Sequence, residues 1–271
     1  MTDNLKYSKE TCTVLDNPEI SSNHFLMEIE APFVSDTALP GQFVMIKIGS
    51  GVTPLLRRPF GIYKTDREKE SFSVLYRVVG DGTKLMSEIA PGVKLDILGP
   101  LGNSFMIEPE YERVLLVAGG VGIAPLFSLS RSLVYKGVEV KALVGGKKAD
   151  ELLAVKELNN LGVEVFTATE NGETGYKGYV TGLMENIVLD DKNISCVFTC
   201  GPSAMLKKVS AIAMEYGLPC QLSLEAVMAC GFGVCLGCVV EVSSKKNGAA
   251  RDYRRVCCDG PVFKGEDMVW R

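Results

Sequence analysis

Five of the nine cysteines fall between residues 230 and 258, spaced Cys230-x4-Cys235-x2-Cys238 and then eighteen residues to Cys257, with Cys258 beside it. From about residue 225 the chain is rich in glycine and cysteine and reads as a small appendix that needs a metal centre to be ordered. Four thiolates are what a [2Fe–2S] cluster requires, two on each iron, and C-x4-C-x2-C…C is a spacing used for that cluster. Zinc is the main competitor, but structural zinc takes paired short spacings such as two C-x2-C knuckles, and a four-residue gap fits it poorly. Chance crowding of five core thiols is weaker still. Gly231, Gly233 and Gly237 suit a backbone that folds tightly and points its N–H groups at the sulfides. Cys230, Cys235 and Cys238 are read as ligands, and the fourth position lies between Cys257 and Cys258.

The remaining cysteines, Cys12, Cys196, Cys200 and Cys220, sit in apolar, strand-like surroundings and read as small buried thiols. An odd count in a chain with no secretory start argues against a disulfide framework. The first residues, Met1-Thr2-Asp3-Asn4-Leu5-Lys6, lack the basic start and apolar core of a signal peptide. No apolar run approaches the roughly 18 residues of a spanning helix. A net charge of −4 gives no general attraction to nucleic acid or anionic membranes. The expectation is a cytoplasmic protein that engages neither.

Up to about residue 104 the chain reads as short strands between turn signals, with residues 25–30, 42–48, 71–78 and 94–97 as examples. That spacing suggests an antiparallel barrel or sandwich. Within it, Arg57-Arg58-Pro59-Phe60-Gly61-Ile62 closes an apolar strand with two cations, a rigid proline and an aromatic. A guanidinium there can pair with a cofactor phosphate in a bidentate way. Leu75-Tyr76-Arg77, followed by Gly80-Asp81-Gly82-Thr83, adds an aromatic, another cation and a turn with open backbone donors. Singly, Arg-Arg is most simply a solvated pair and Gly-Asp-Gly a hairpin turn. Together, ahead of a nucleotide-type domain, they read as a flavin dinucleotide cradle.

From about residue 111 the pattern becomes strand–helix alternation, which implies a parallel sheet covered on both faces. Strand 113–117 runs into Gly119-Gly120-Val121-Gly122 and a helix to about residue 135. Strand 138–144, helix 150–160, strand 163–169, strand 196–199, helix 203–216 and strand 221–224 follow. The last segment adds a strand at 239–242 and a polar turn at 243–248. Glycines at a strand–helix turn let N–H groups approach a diphosphate. Cys200-Gly201-Pro202 forms a second open loop at the carboxyl edge of the same sheet, where ligands bind. Lys147-Lys148 stand where a 2′-phosphate would need cations, or form a solvated helix approach; NADH is favoured over NADPH.

These pieces, in this order, resemble the ferredoxin–NADP reductase superfamily. Its flavin motif, Arg-x-Tyr/Phe-Ser/Thr, is matched by Arg58-Pro59-Phe60-Gly61. The resemblance implies that Arg58 holds the diphosphate and Phe60 lies beside the flavin. Gly61 departs from the pattern, having no hydroxyl to offer the flavin N5. A closer resemblance covers nearly the whole chain. The strings LLRRPFGI, LYR followed by GT, GPLGN, GGVGIAPL, TCGP, MACGFGVCLGC and VCCDGPVF are similar to the electron-transfer subunits of class 1B dihydroorotate dehydrogenases. In V-C-x-D-G-P-V-F, Cys257 takes the family's cysteine and Cys258 the variable position.

That resemblance implies an α/β plus all-β chain in three parts: an FAD-binding β-barrel over residues 1–108, an NAD-binding parallel-sheet domain over 109–224 and a small [2Fe–2S] domain over 225–271. It also implies passage of electrons between NAD(H) and a separate FMN-containing catalytic subunit that oxidises dihydroorotate in pyrimidine synthesis. The assembly is typically two of each subunit. A flavin belongs between nicotinamide and cluster because it exchanges electrons both in pairs and singly. No protein acid or base is expected to act. The single histidine, His24, reads as a strand-surface residue away from every motif. Glu225 reads either as a group approaching the cofactors or as a carboxylate capping the cysteine loop. Two alternatives stand beside this reading: a related FAD/[2Fe–2S] NAD(P)H reductase subunit serving a ferredoxin or sulfur-linked acceptor, and a non-enzymatic iron–sulfur sensor.

Overall fold

Alternating apolar positions in the first hundred residues close into a barrel. The computed structural model describes residues 7–49, 54–243 and 251–270; the polar turn after Ser243 lies outside them. β1 (Ser8–Asp16), β2 (Glu19–Ser21), β3 (His24–Glu30), β4 (Phe43–Lys47), β5 (Arg58–Asp66), β6 (Ser71–Arg77) and β7 (Lys94–Leu101) form one antiparallel sheet in the order β1-β7-β4-β5-β6-β3-β2. β3 also pairs with β1, so six strands complete a ring and β2 hangs outside it. Met27, Ile29, Val44, Ile46, Phe72 and Val74 fill the interior. Helices α1 (Pro32–Thr37) and α2 (Asp81–Ser87) add Val34 and Met86 to the same core.

One local expectation is corrected here, and one bland alternative falls away. The Arg-Arg-Pro-Phe stretch opens β5 rather than closing a strand. Residues 80–83 begin α2 instead of turning a hairpin. The Thr83 hydroxyl accepts the N–H groups of Val79 (2.9 Å) and Gly80 (3.2 Å), satisfying donors that a nascent helix leaves free.

The second unit holds β8 (Arg113–Gly119), α3 (Ile123–Tyr135), β9 (Glu139–Gly146), α4 (Val155–Asn160), β10 (Glu164–Thr169), β11 (Tyr176–Lys177), α5 (Val180–Asp190), β12 (Cys196–Cys200), α6 (Ser203–Glu215) and β13 (Cys220–Ser223). All six strands are parallel, in the order β11-β10-β9-β8-β12-β13. β8 shows why its sequence is continuously apolar from Val114 to Ala118. Val114, Leu116 and Ala118 face the core beneath α3, whereas Leu115 and Val117 face the core shared with α5 and α6. The helix expected over 150–160 is broken: a 3-10 turn at Ala149–Glu151 precedes α4, and Ala154 between them has φ 60°. Leu153 enters the core at that break.

The last segment contributes a hairpin of β14 (Val239–Ser243) and β15 (Arg251–Arg255), a short helix α7 (Val256–Asp259) and β16 (Val262–Lys264). β16 adds antiparallel to β13 and extends the sheet to seven strands. One further apolar cluster joins all three parts: Phe43, Met45 and Leu101 of the barrel, Leu206 and Leu222 of the sheet unit, and Cys238, Val256 and Phe263 of the last segment. Barrel and sheet also meet directly. Tyr63 stacks on Phe127 at 4.4 Å between ring centres, and Gln221 exchanges two hydrogen bonds with the Met106 backbone (2.8 and 2.9 Å). Among the described residues no helix is long and apolar enough to cross a membrane.

Candidate functional site

The barrel and the carboxyl edge of the parallel sheet enclose a cleft of about 1200 Å³. Its barrel wall is built by β5 and β6 and the start of α2. Arg58, Pro59, Phe60 and Gly61 line it from one strand, and Leu75, Tyr76 and Arg77 from the next. Phe60 meets Tyr76 edge-on, with ring centres 5.8 Å apart. The Tyr76 hydroxyl is held by Asn17 at 2.9 Å, and burial pushes its phenol up to about 12. Tyr76 is therefore a fixed wall rather than a proton donor. Gly82 and Thr83 line the cleft as expected, but the Thr83 hydroxyl is engaged within its own turn. Only the backbone there is free to meet a ligand.

The sheet wall begins at Gly119, Gly120 and Gly122, with Cys200 and Pro202 beside them. Gly201 does not line the cleft; it packs behind the wall, where a Cβ would meet Met205 and Gly119. Cys200 is buried, and desolvation, with Glu225 nearby, pushes its thiol up to about 12. It is thus a neutral small side chain at the cleft floor. Of the two lysines considered for a 2′-phosphate, Lys147 lines the cleft, while Lys148 is paired with Asp150 at 2.7 Å.

Several lining residues went unrecognised in the sequence. Glu170, just past the end of β10, and Tyr179, at the start of α5, border the same end as Lys147. Their only sequence signal is position after a strand or before a helix. His24 is a correction: it is 3% exposed, lines the cleft and pairs in register with Arg77. The pairing of β3 with β6 carries His24 to the site; its Nδ1 lies 2.8 Å from the Ser22 carbonyl oxygen. Glu225 also faces the cleft. Crowding by the cleft walls raises its carboxyl above the usual range.

The cysteine segment abuts this cleft. Met228 and Pro261 are cleft residues, and Cys230 and Cys257 follow and precede them closely in the chain. The thiols sort into pairs. Desolvation alone would raise Cys230, but the N–H groups of Cys235, Phe232 and Val234 and the Cys235 thiol outweigh it and bring Cys230 down to about 6. Cys257 donates its N–H to the Cys238 sulfur at 3.4 Å; burial, with the Cys238 and Cys258 thiols alongside, raises its own thiol. Among the described residues no three metal-capable side chains share one coordination point. Two pairs of thiols are the arrangement that a dinuclear cluster with two sulfurs on each iron would use. Cys258 is exposed, 3.8 Å from the Cys257 sulfur and against Gly233.

Residues 225–269 match the iron–sulfur cluster binding domain of dihydroorotate dehydrogenase B, and residues 116–211 match the oxidoreductase NAD-binding domain. The chain is 38% identical to the electron transfer subunit of dihydroorotate dehydrogenase B (NAD(+)) from Bacillus cereus (strain G9842), covering 96% of this chain and 98% of that one. The subunit of the same name from Bacillus mycoides (strain KBAB4) is 37% identical over the same shares. Among solved structures, a chain of an NADH-dependent reduced ferredoxin-NADP oxidoreductase superposes with a TM-score of 0.85 at 32% identity, covering 97% of this chain and 91% of that chain. The ferredoxin reductase of carbazole 1,9a-dioxygenase shares the fold at a TM-score of 0.69 and 18% identity, over 79% of this chain and 68% of that chain.

Proposed function

This chain belongs to the family of dihydroorotate dehydrogenase B electron transfer subunits, and on that premise we propose that it carries electrons between NAD(H) and a partner subunit that oxidises dihydroorotate. The observation that carries the reading is one continuous cleft, shared by barrel and sheet, whose wall runs through Met228 and Pro261 into the cysteine segment. The three parts take residues 1–108 for FAD, 109–224 for NAD and 225–271 for the cluster. FAD, when bound, supplies the conversion between hydride pairs and single electrons.

The chain's own residues hold and orient. Arg58 and Arg77 supply charge for the flavin diphosphate, Pro59, Phe60, Leu75 and Tyr76 form its apolar wall, and Gly61, Gly82 and Thr83 offer backbone. Gly119, Gly120 and Gly122 present N–H groups to the nicotinamide diphosphate at the head of α3, with Cys200 and Pro202 closing the opposite lip and Gly201 packed behind them. Cys230 and Cys235 take one iron, Cys238 and Cys257 the other. We assign no side chain as acid or base: hydride transfer needs none, and the proton left when the two electrons depart singly would pass to water.

The partner is an FMN-containing dihydroorotate dehydrogenase catalytic subunit in a cytoplasmic assembly of two subunits of each kind, serving pyrimidine synthesis. Neither nucleic acid nor membrane takes part. The test is co-expression with the candidate catalytic subunit, then an absorption spectrum and a dihydroorotate-dependent NAD reduction assay on the purified complex. Flavin and cluster bands with turnover support the reading; a complex inert to dihydroorotate overturns it. The similarity to a chain of an NADH-dependent reduced ferredoxin-NADP oxidoreductase favours a second reading, a reductase subunit with a ferredoxin-type acceptor. Reduction of ferredoxin by the chain without any FMN subunit would select it.

A further inference from the structure

The residue after Gly102 in the loop leaving β7 makes four hydrogen bonds to a single stretch of the cysteine segment, more than 150 positions away in sequence. The Asn103 N–H donates to the Gly260 carbonyl at 2.7 Å. Its Nδ2 donates to the carbonyls of Asp259 (3.2 Å) and Val262 (2.9 Å). Its Oδ1 accepts the Val262 N–H at 2.9 Å. The Pro261 carbonyl faces the other way and accepts the Leu224 N–H at 2.9 Å. Residues 259–262 are therefore clamped between the barrel and the last parallel strand's exit.

Gly102 makes this approach possible. Its φ is +77°, and a Cβ there would stand 2.5 Å from Pro261 Cδ. Pro261 itself lines the cleft, and Cys257 lies on α7, which ends at Asp259. One surface amide thus fixes, at once, a wall of the flavin side of the cleft and the helix bearing a cluster ligand. Asn103 is exposed, so truncating it opens no cavity in the core.

We propose that Asn103 is a positioning residue that sets the placement of the Cys257 segment against the flavin barrel, and through it the rate at which electrons cross from flavin to cluster. The step concerned would move one electron from flavin already reduced by NADH to the oxidised cluster; the first such electron breaks no bond, and the flavin's proton would pass to water by the time the second has left. Electron tunnelling falls steeply with separation, so a loosened clamp slows it even when both centres are intact; displacements near 1 Å matter at such sites. The inference rests on the FAD and cluster assignment given above.

The test uses the full-length holoprotein and the variants Asn103→Ala and Asn103→Asp. Asp keeps an acceptor for the Val262 N–H but sets a carboxylate against two carbonyls. Flavin bleaching by NADH should stay within about twofold of the parent in stopped flow, and cluster bleaching should slow by about tenfold or more. Amide exchange at Val262 should accelerate, and the electron paramagnetic resonance lines of the dithionite-reduced cluster should broaden. A merely structural role predicts a lower melting temperature with unchanged cluster bleaching, and that result overturns the proposal. Unchanged Val262 exchange in Asn103→Ala overturns it as well. Should Asn103→Ala lose its cluster, Asn103→Ser carries the same comparison. A parent protein purified without flavin or cluster bands refutes the underlying assignment instead.

Discussion

Gly122 stands against the carbonyl of Cys200 so closely that a Cβ on Gly122 would overlap it. Its backbone is ordinary, with φ −61°, so the glycine is required by contact and not by conformation. Gly120 is the reverse case: φ is +53° and nothing lies within 4 Å of a built Cβ. The two glycines of one motif therefore make different predictions. Gly122→Ala must part the β8 turn from the end of β12, an overpacking cost of about 1–3 kcal/mol, and should weaken NADH binding along with thermal stability. Gly120→Asn should be close to neutral in stability, because asparagine tolerates the left-handed region. Melting curves and NADH titrations of the two variants check the contrast.

The proposed preference for the dinucleotide without a 2′-phosphate rests on the acidic residue at the far end of the cleft. Glu170 lines that end, and the Lys147 N–H is held by Glu151 at 3.0 Å. Lys148 is engaged by Asp150. An acidic group near the ribose suits a 2′-hydroxyl and repels a phosphate. Glu170→Arg should shift the NADPH-to-NADH affinity ratio by about tenfold or more toward NADPH, equivalent to about 1.4 kcal/mol. Titrations of both nucleotides, read by flavin absorbance, measure it; an unchanged ratio sinks the assignment of that subsite.

Cys235 is exposed on the cysteine loop and does not line the cleft. Its replacement by serine should abolish the cluster's visible absorption while leaving NADH-to-dye activity through the flavin largely intact. A normal cluster in Cys235→Ser would overturn the ligand set. Loss of flavin with the cluster would show instead that the barrel cannot hold its cofactor unaided.

The fold class was legible because its periodicities are unmixed. β8 is apolar from Val114 to Ala118 and covered on both faces there, and β6 reads as a strand in any window. Elements whose order depends on distant contacts were not. α5 passes unnoticed because Thr181 and Gly182 interrupt a run whose buried positions, Val180, Leu183, Met184 and Val188, become a face only against the sheet. β16 is three residues long and exists because β13 offers it an edge. The site followed the same division. Glycine and arginine motifs announce themselves locally, whereas His24 reaches the cleft only through the pairing of β3 with the distant β6, and Glu170 only through the strand order that sets β10 beside β9. Asn103 carried no chemical signal at all, since an asparagine after glycine reads as a turn.

At the amino-terminal edge of the sheet, opposite the cleft, Asp191 binds the strands together. Its carboxylate meets Lys141 at 2.8 Å and Arg113 at 3.1 Å and accepts the Asn193 N–H at 3.0 Å. Lys141 foremost, then the Asn193 N–H and Arg113, outweigh burial and hold the carboxyl at about 2, against 3.8 ordinarily. A carboxyl depressed in the folded state stabilises fully above its unfolded value, and that contribution fades as pH falls toward the folded one. The contribution is therefore complete above about pH 4 and should be lost between about pH 4 and 2. Asp191→Asn removes it and leaves Lys141 and Arg113 facing each other. Allowing for the partial exposure of the partners, the variant should be less stable by about 1–2 kcal/mol at pH 7. The gap to the parent should narrow as the pH is lowered from 4. Urea midpoints at pH 7, 4 and 3 measure it; a gap that is constant with pH would mean that Asp191 acts through packing and not through its charge.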